Sequence, residues 1–260
     1  MAFPDHVRHY IQTELSFGAI AGPFSTNPLR KPLVCSPLQT VPKRGSSKRQ
    51  VVLDLSFPPT VSVNSGIPLN SYQDSPFKLR LPGIDRLCEL ILAKGRGCCV
   101  YKKDLQRAYR QFPIDPKDYY LLGFTFDNHI YFDTRRPFGL RTSAMICQRT
   151  TKAVIYFHAA GFSADVYQDD FYGAECPSLA ENAFATLQSI FDTLGLASSP
   201  EKDLPPAFEM VCLGILVNTK DFTLRVPESR LRDPMSYIRG CHASALLSKN
   251  CSLCSVNFLS

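Results

Sequence analysis

An α+β fold, with an antiparallel sheet carrying helices on one face, is what the sequence predicts, and three observations predict it. From residue 97 onward the hydrophobic pattern reads strand, two strands, helix, hairpin, helix, strand. Strands interleaved with helices in this order share one layered core. The chain is 260 residues long, 45% hydrophobic and 20% charged, which is a globular composition with length enough for a sizeable core. No internal repeat divides it.

Composition also narrows the function. The net charge of +6, from 29 basic against 23 acidic residues, permits a polyanionic partner without requiring one. Ten irregularly spaced cysteines do not read as a secreted disulfide framework. No apolar run follows a basic N-terminal segment, and none approaches the ~20 residues that span a bilayer. The expectation is an intracellular protein, in cytoplasm or nucleus, with no signal peptide and no membrane partner.

Val7, Tyr10, Ile11 and Leu15 recur at helical spacing and predict an amphipathic helix over 5–16, ended by Gly18, Gly22 and Pro23. Residues 27–48, rich in proline, serine and basic side chains, read as loop or extended chain. Lys43, Arg44, Lys48 and Arg49 cluster there around Gly45-Ser46-Ser47, as a solvated loop or as one that contacts phosphates. Residues 50–55 read as a strand, followed by a break at Pro58-Pro59 and a polar loop to Asp74. Ile84, Leu87, Leu90 and Ile91 place a helix over 83–94, ended by Gly95. Cys98-Cys99-Val100-Tyr101 reads as a strand that runs into Lys102-Lys103-Asp104.

Residues 120–126 and 129–133 form a hairpin across Asp127-Asn128. Ala144, Cys147, Thr151, Val154 and Phe157 predict a helix over 142–160. Ser178, with Glu181 three residues on, is the expected N-cap of another helix that Gly195 closes. A turn spans 198–202, and residues 208–217 are apolar enough for a buried strand or hairpin. The pattern over 231–238 is weakly helical, and the chain stops at Asn257-Phe258-Leu259-Ser260 as though an element were interrupted.

The chemistry centres on Ser163-Ala164-Asp165-Val166-Tyr167-Gln168-Asp169-Asp170-Phe171-Tyr172-Gly173. Val-Tyr and Phe-Tyr favour strand and Gln-Asp-Asp favours a tight turn, so the stretch predicts a hairpin with two acids at its tip. Such a tip is either a solvated turn or part of a divalent-metal site, since Mg²⁺ takes hard oxygen ligands from one or two carboxylates. A metal site needs a third acid. Asp104 supplies one if its strand pairs with the hairpin; otherwise it is an exposed strand-end acid. Three carboxylates at one sheet edge suit two metals ~3.5–4 Å apart. A separate set, Cys241, His242, Cys251 and Cys254, has zinc-ligand residue types, although Cys241 and His242 are adjacent and no second well-spaced pair accompanies them.

Together these residues resemble the reverse transcriptase (RNA-directed DNA polymerase) domain of retroelements. Tyr167-Gln168-Asp169-Asp170 is similar to the family's Tyr-x-Asp-Asp box, and Asp104-Leu105-Gln106-Arg107-Ala108-Tyr109 to its first palm motif. Arg136-Pro137-Phe138-Gly139-Leu140 with the helix start to Gln148 resembles the second, and Leu194-Gly195-Leu196 with Lys202 the fourth. Cys212-Leu213-Gly214 resembles the primer-contacting hairpin. Upstream, Ser36-Pro37-Leu38, Val41-Pro42-Lys43, Asp54-Leu55-Ser56 and Ser62-Val63-Asn64 resemble the fingers of the tyrosine-recombinase (DIRS-like) retrotransposon group.

The resemblance implies an N-terminal extension over 1–30, fingers and palm over 31–225, and the start of a C-terminally truncated thumb over 226–260. It implies RNA or DNA template with primer and deoxynucleoside triphosphates as partners, and two Mg²⁺ ions (Mn²⁺ as substitute) held by Asp104, Asp169 and Asp170. Tyr109 would bar a ribose 2′-hydroxyl, Gly139 would let backbone approach the nascent base pair, and Phe138 and Gln148 would border the substrate. Lys43 and Arg49 would contact the triphosphate, Lys202 would give a proton to the leaving pyrophosphate, and Leu213 and Gly214 would touch the primer. Without the resemblance, Tyr109 reads as a core aromatic and Lys202 as a solvated lysine. Gln50 and Cys212 depart from the family, which places an arginine and an aromatic there. The alternative, motivated by Gln50 and the truncated thumb, is an inactive truncated retroelement remnant that at most binds nucleic acid.

Overall fold

Pro4 opens the first helix, α1 (Pro4–Ser16), at a position where a missing N–H costs nothing. In the computed structural model the described residues are 3–42, 49–68, 71–72, 75–76, 78–228 and 255–257. After α1 come β1 (Ile20–Phe24), β2 (Leu38–Pro42), β3 (Arg49–Leu53), the short β4 (Ser71–Tyr72) and β5 (Ser75–Pro76), and α2 (Ile84–Lys94). Then follow β6 (Cys99–Asp104), β7 (Gly123–Phe126), β8 (His129–Asp133), α3 (Ser143–Ala159), β9 (Ala164–Tyr167) and β10 (Asp170–Glu175). The described part closes with α4 (Pro177–Leu194), β11 (Leu204–Ala207), β12 (Glu209–Cys212), β13 (Ile215–Asn218), β14 (Thr223–Arg225) and β15 (Ser255–Asn257). Lys43, the weakly helical stretch 231–238 and the set Cys241, His242, Cys251 and Cys254 lie outside the described residues.

The chain forms two units. The first comprises residues 1–79 and 107–147. It contains a three-stranded sheet in the order β1-β8-β7 and the β2–β3 hairpin, all antiparallel. Val7 and Ile11 of α1 are buried in one core with Leu53 of β3, Phe124 of β7 and Tyr131 of β8. The Asp127-Asn128 turn has φ of 46° and 58°, the left-handed pair that a two-residue hairpin needs. Several strands arise where the sequence predicts none, β1 and β2 among them. β1 contains Gly22 and Pro23, yet it is a sheet edge, where a missing N–H is tolerated. β2 ends on Pro42 and exists only by pairing with β3. The strand expected from residue 120 starts at Gly123, because residues 116–121 coil into a 3₁₀ turn opened by Asp115 and Pro116.

The second unit comprises residues 80–106 and 148–260. Its main sheet is antiparallel in the order β11-β6-β10-β9. On one face Tyr101 of β6 and Phe171 of β10 pack with Val154 of α3 and Leu187 and Phe191 of α4. On the other, Val100, Tyr172 and Ala174 pack with Leu87, Leu90 and Ile91 of α2 and with Met210, Cys212 and Val217. Helices therefore cover both faces, which corrects the expectation of one. The physical reason is visible in the central strands, whose consecutive residues are buried as in sheets covered on both sides. The apolar stretch 208–217 is the β12–β13 hairpin, turned at Leu213-Gly214. α4 is capped at Cys176 with Pro177 in its first turn, two residues before the expected cap at Ser178, and ends at left-handed Gly195.

Candidate active site

The β6–β10 register sets Asp104 directly opposite Asp170, on the same face of the sheet. β9 and β10 close over Gln168-Asp169, with Tyr167 opposite Asp170. Only Asp169 thus lies in the turn, while Asp170 is the first residue of β10; the two acids do not share the tip as expected. Gln168 takes a left-handed backbone, φ 60°. It is held there by buried Gln148, whose Oε1 accepts from the Gln168 N–H at 2.6 Å and whose Nε2 donates to the Val166 carbonyl at 2.9 Å. The Leu105 N–H donates to the Asp169 carbonyl at 3.2 Å, tying the turn to the end of β6.

Two ammonium groups balance this acid cluster. Lys202 Nζ donates to Asp104 Oδ1 at 2.7 Å, and Lys102 Nζ lies 2.8 Å from Asp170 Oδ1. Burial pushes the Asp169 carboxyl above its usual range, and the Asp104 and Asp170 charges add to the rise against Lys202. Burial raises Asp170 as well, opposed by Lys102 and reinforced by Asp104. The hydrogen bond to Asp104 raises Lys202, which keeps it an ammonium. Among the described residues no three His, Cys, Asp or Glu side chains are already arranged around a common metal position. The donor chemistry still suits a hard divalent cation: carboxylate oxygens only, mutually repelling, with lysines supplying the countercharge. Cys212 is fully buried beside them; burial pushes its thiol up to about 12, with Lys102 opposing and Asp170 adding. The adjoining Leu213 and Gly214 have φ of 48° and 81° at the hairpin turn.

In the first unit, the Tyr109 and Phe138 rings meet at 4.9 Å between centroids, tilted by 51°. Gly139 has φ 97°, and a Cβ there would come within 2.7 Å of the Leu53 carbonyl oxygen. Its own carbonyl accepts from Asn64 Nδ2 at 2.7 Å, and the same amide donates to Ser56 Oγ at 2.9 Å. The segments around Ser56, Asn64 and Gly139 are thus one hydrogen-bonded support. Arg49 donates to Thr40 through Nε to Oγ1 at 3.2 Å and through Nη2 to the carbonyl at 2.8 Å, with the Phe3 ring 3.8 Å from its guanidinium carbon. Arg49, Gln50 and Phe138 line a cavity of about 830 Å³ with His6, His9 and Arg107. The second unit therefore gathers Asp104, Asp169, Asp170, Lys202, Gln148 and the Leu213-Gly214 turn, and the first carries Arg49, Tyr109, Phe138 and Gly139.

Sequence reasoning missed Lys102, the partner of Asp170. The available signal was a lysine pair inside an otherwise apolar strand.

The sequence matches no protein-family model and no curated protein. The fold does have solved counterparts. A foamy viral protease-reverse transcriptase dRH in complex with double-stranded DNA aligns at TM-score 0.70 and 19% identity, over 89% of this chain and 36% of that one. A foamy viral protease-reverse transcriptase in complex with double-stranded DNA gives TM-score 0.69 at 19% identity, over 89% and 43%. The same kind of enzyme in complex with an RNA/DNA hybrid gives TM-score 0.65 at 21% identity, over 90% and 28%. The chain has a reverse-transcriptase-like fold. The likeness at this identity is one of fold, and the chain spans less than half the length of those enzymes. Within this reverse-transcriptase-like fold, no helix among the described residues is long and apolar enough to cross a membrane.

Proposed function

We propose that the chain is the polymerase part of a retrotransposon reverse transcriptase, of the tyrosine-recombinase group, performing template-directed nucleotidyl transfer with two Mg²⁺ ions. The observation that carries this reading is the register that pairs Asp104 with Asp170 and leaves Asp169 in the adjoining turn. In this reading residues 31–225 are fingers and palm, residues 1–30 precede them, and residues 226–260 begin a thumb.

Asp104, Asp169 and Asp170 would hold the metal ions, which when bound supply Lewis-acid activation of the primer 3′-hydroxyl and charge neutralisation at the leaving pyrophosphate. Lys202, kept protonated by Asp104, would give a proton to the leaving group. Tyr109, its ring packed against Phe138, would bar a ribose 2′-hydroxyl, and Arg49 with Lys43 would bind the triphosphate. Gly139 allows a close approach of backbone that a Cβ would obstruct. Gln148 acts through the turn it holds, and Leu213-Gly214 offers backbone to the primer.

The decisive experiment is extension of a labelled DNA primer on an RNA template by residues 1–260 with Mg²⁺ and deoxynucleoside triphosphates. Extension is expected from the unmutated chain and loss of it, by roughly 10³-fold or more, from Asp169→Asn. Equal activity in the two overturns the assignment. The second reading, an inactive remnant that binds nucleic acid, is favoured by Gln50 in place of arginine and by Arg49 already engaged with Thr40 and Phe3. Crosslinking of primer-template without any extension would establish it.

A further inference from the structure

Lys103 is the one residue of β6 that the site described above does not use and that its surroundings do not welcome. Side chains alternate along a strand, so Lys103 points away from the face of Asp104 and towards α4. Its neighbours on that side, Tyr101 and Leu105, pack with Leu187 and Phe191. The Lys103 side chain is only 4% exposed. A buried ammonium is costly unless paired, and this one is paired completely. Nζ donates to Asp203 Oδ2 at 2.6 Å and to Gln188 Oε1 at 2.9 Å, and lies 4.0 Å from the centre of the Phe184 ring.

Asp203 does a second thing. Its other oxygen, Oδ1, accepts the backbone N–H of Asp104 at 3.3 Å. One carboxylate therefore holds two consecutive residues of β6, the side chain of one and the backbone of the next. The residue before it is Lys202, whose ammonium reaches the Asp104 carboxylate from a side chain that is 54% exposed. A long, half-exposed lysine has many rotamers open to it, and only a fixed backbone restricts where its end can be. Residues 202 and 203 thus clasp the end of β6 together. The turn that carries them is also tied by the Ser199 N–H to the Asp104 carbonyl at 2.8 Å and by the Gln106 N–H to the Ala197 carbonyl at 2.9 Å.

We propose that Lys103 and Asp203 are positioning residues whose ion pair fixes the Lys202 ammonium at the Asp104 carboxylate. This rests on the polymerase reading for its consequence in the reaction, and on the hydrogen-bond geometry alone for the contact it controls. The pair touches neither metal nor substrate. It sets where the proton donor stands relative to the acid on the neighbouring face.

The test removes both charges at once, because deleting one would strand the other in the core. Lys103→Met with Asp203→Leu is measured in the full chain by two readouts. In steady-state primer extension, kcat is expected to fall by roughly tenfold or more while KM for the deoxynucleoside triphosphate changes by less than about threefold. In ¹⁵N-labelled, metal-free protein, the Lys202 side-chain ammonium resonance, assigned by its loss in Lys202→Arg, is expected in the unmutated chain and in Asp203→Glu. Exchange with water should broaden it beyond detection in the double variant. A sharp Lys202 resonance in the double variant overturns the proposal, and so does a kcat within about twofold of the unmutated value. Should that double variant not fold, Lys103→Met with Asp203→Ala, which also removes both charges, is read by the same two measurements with the same outcomes. If the unmutated chain extends no primer, the polymerase reading fails and the resonance alone decides the positioning role.

Discussion

Asp169 stands where its own charge is unfavourable, because burial and two neighbouring carboxylates all disfavour ionisation there. A carboxyl whose folded-state pKa lies above its unfolded value contributes stability that is full below the unfolded value and is lost as pH rises through the folded one. At neutral pH and without metal, Asp169 therefore costs stability, and Asp169→Asn should raise the thermal midpoint by about 1–3 °C. The gain should vanish at acid pH, where the unmutated side chain is itself neutral. Millimolar Mg²⁺ should reverse the order, stabilising the unmutated chain by mass action and leaving the variant nearly unmoved. Thermal unfolding with and without Mg²⁺ checks both; a variant that is less stable than the unmutated chain without metal contradicts the electrostatic account. The same residue would then be worst for stability and best for chemistry, which is the pattern expected where function sets the charge. Gly139 presents the opposite case, a residue fixed by backbone. Its φ of 97° and the Leu53 carbonyl leave no room for a Cβ, and Gly139→Ala should cost on the order of 1–3 kcal/mol in denaturant unfolding.

Between elements, α3 docks on α4 through a hydrogen bond from a histidine whose burial favours the neutral ring. His158 Nε2–H donates to the Ala183 carbonyl at 2.9 Å, and the buried Nδ1 has no partner. Burial lowers the His158 pKa, more than the Ala183 carbonyl and Glu175 raise it. For a depressed pKa the stability contribution is full above the unfolded value, about 6.5, and is lost as pH falls through the folded one. The thermal midpoint should therefore drop between about pH 7 and pH 5, and the drop should be shallower in His158→Phe, which cannot take up the proton. An identical pH profile in the variant would assign the loss to other groups. Elements of this kind were legible in the sequence wherever one periodicity ran long enough: α1, α2, α3, the β7–β8 hairpin and the Asp169 hairpin all lie within a few residues of their expected places. β1 and β2 were not, because proline and glycine obscure a strand that only its partner stabilises. The acids, Lys202 and the Gly139 loop could be named from motif order. The Lys103–Asp203 pair could not, since two residues a hundred positions apart reveal nothing of each other until β6 and the Lys202 turn are folded together.

Taken over the whole molecule, charge divides along the same line as the fold. Residues 1–79 and 107–147 carry 14 lysines and arginines against 8 aspartates and glutamates, and residues 80–106 and 148–260 carry 15 against 15, so the entire net charge of +6 belongs to the first unit. The second unit's acids are largely matched by nearby bases, as at Asp104 with Lys202, Asp170 with Lys102, Asp203 with Lys103 and Glu175 with Lys94. In the first unit, exposed Arg30, Lys31 and Lys117 add to an unbalanced positive field. A phosphate backbone should therefore be attracted mainly by the first unit, through release of its condensed counterions. Binding of a primer-template by residues 1–260 should weaken by roughly 10²–10³-fold between about 50 and 200 mM salt, as for a handful of phosphate contacts. Arg30→Glu with Lys117→Glu should lower the affinity at low salt and flatten that dependence, while Arg96→Glu with Lys220→Glu in the second unit should leave both nearly unchanged. Fluorescence anisotropy across a salt series measures the two slopes. If the second-unit pair flattens the slope as much as the first-unit pair does, the local field of the bound duplex, and not the charge division between units, governs where nucleic acid is held.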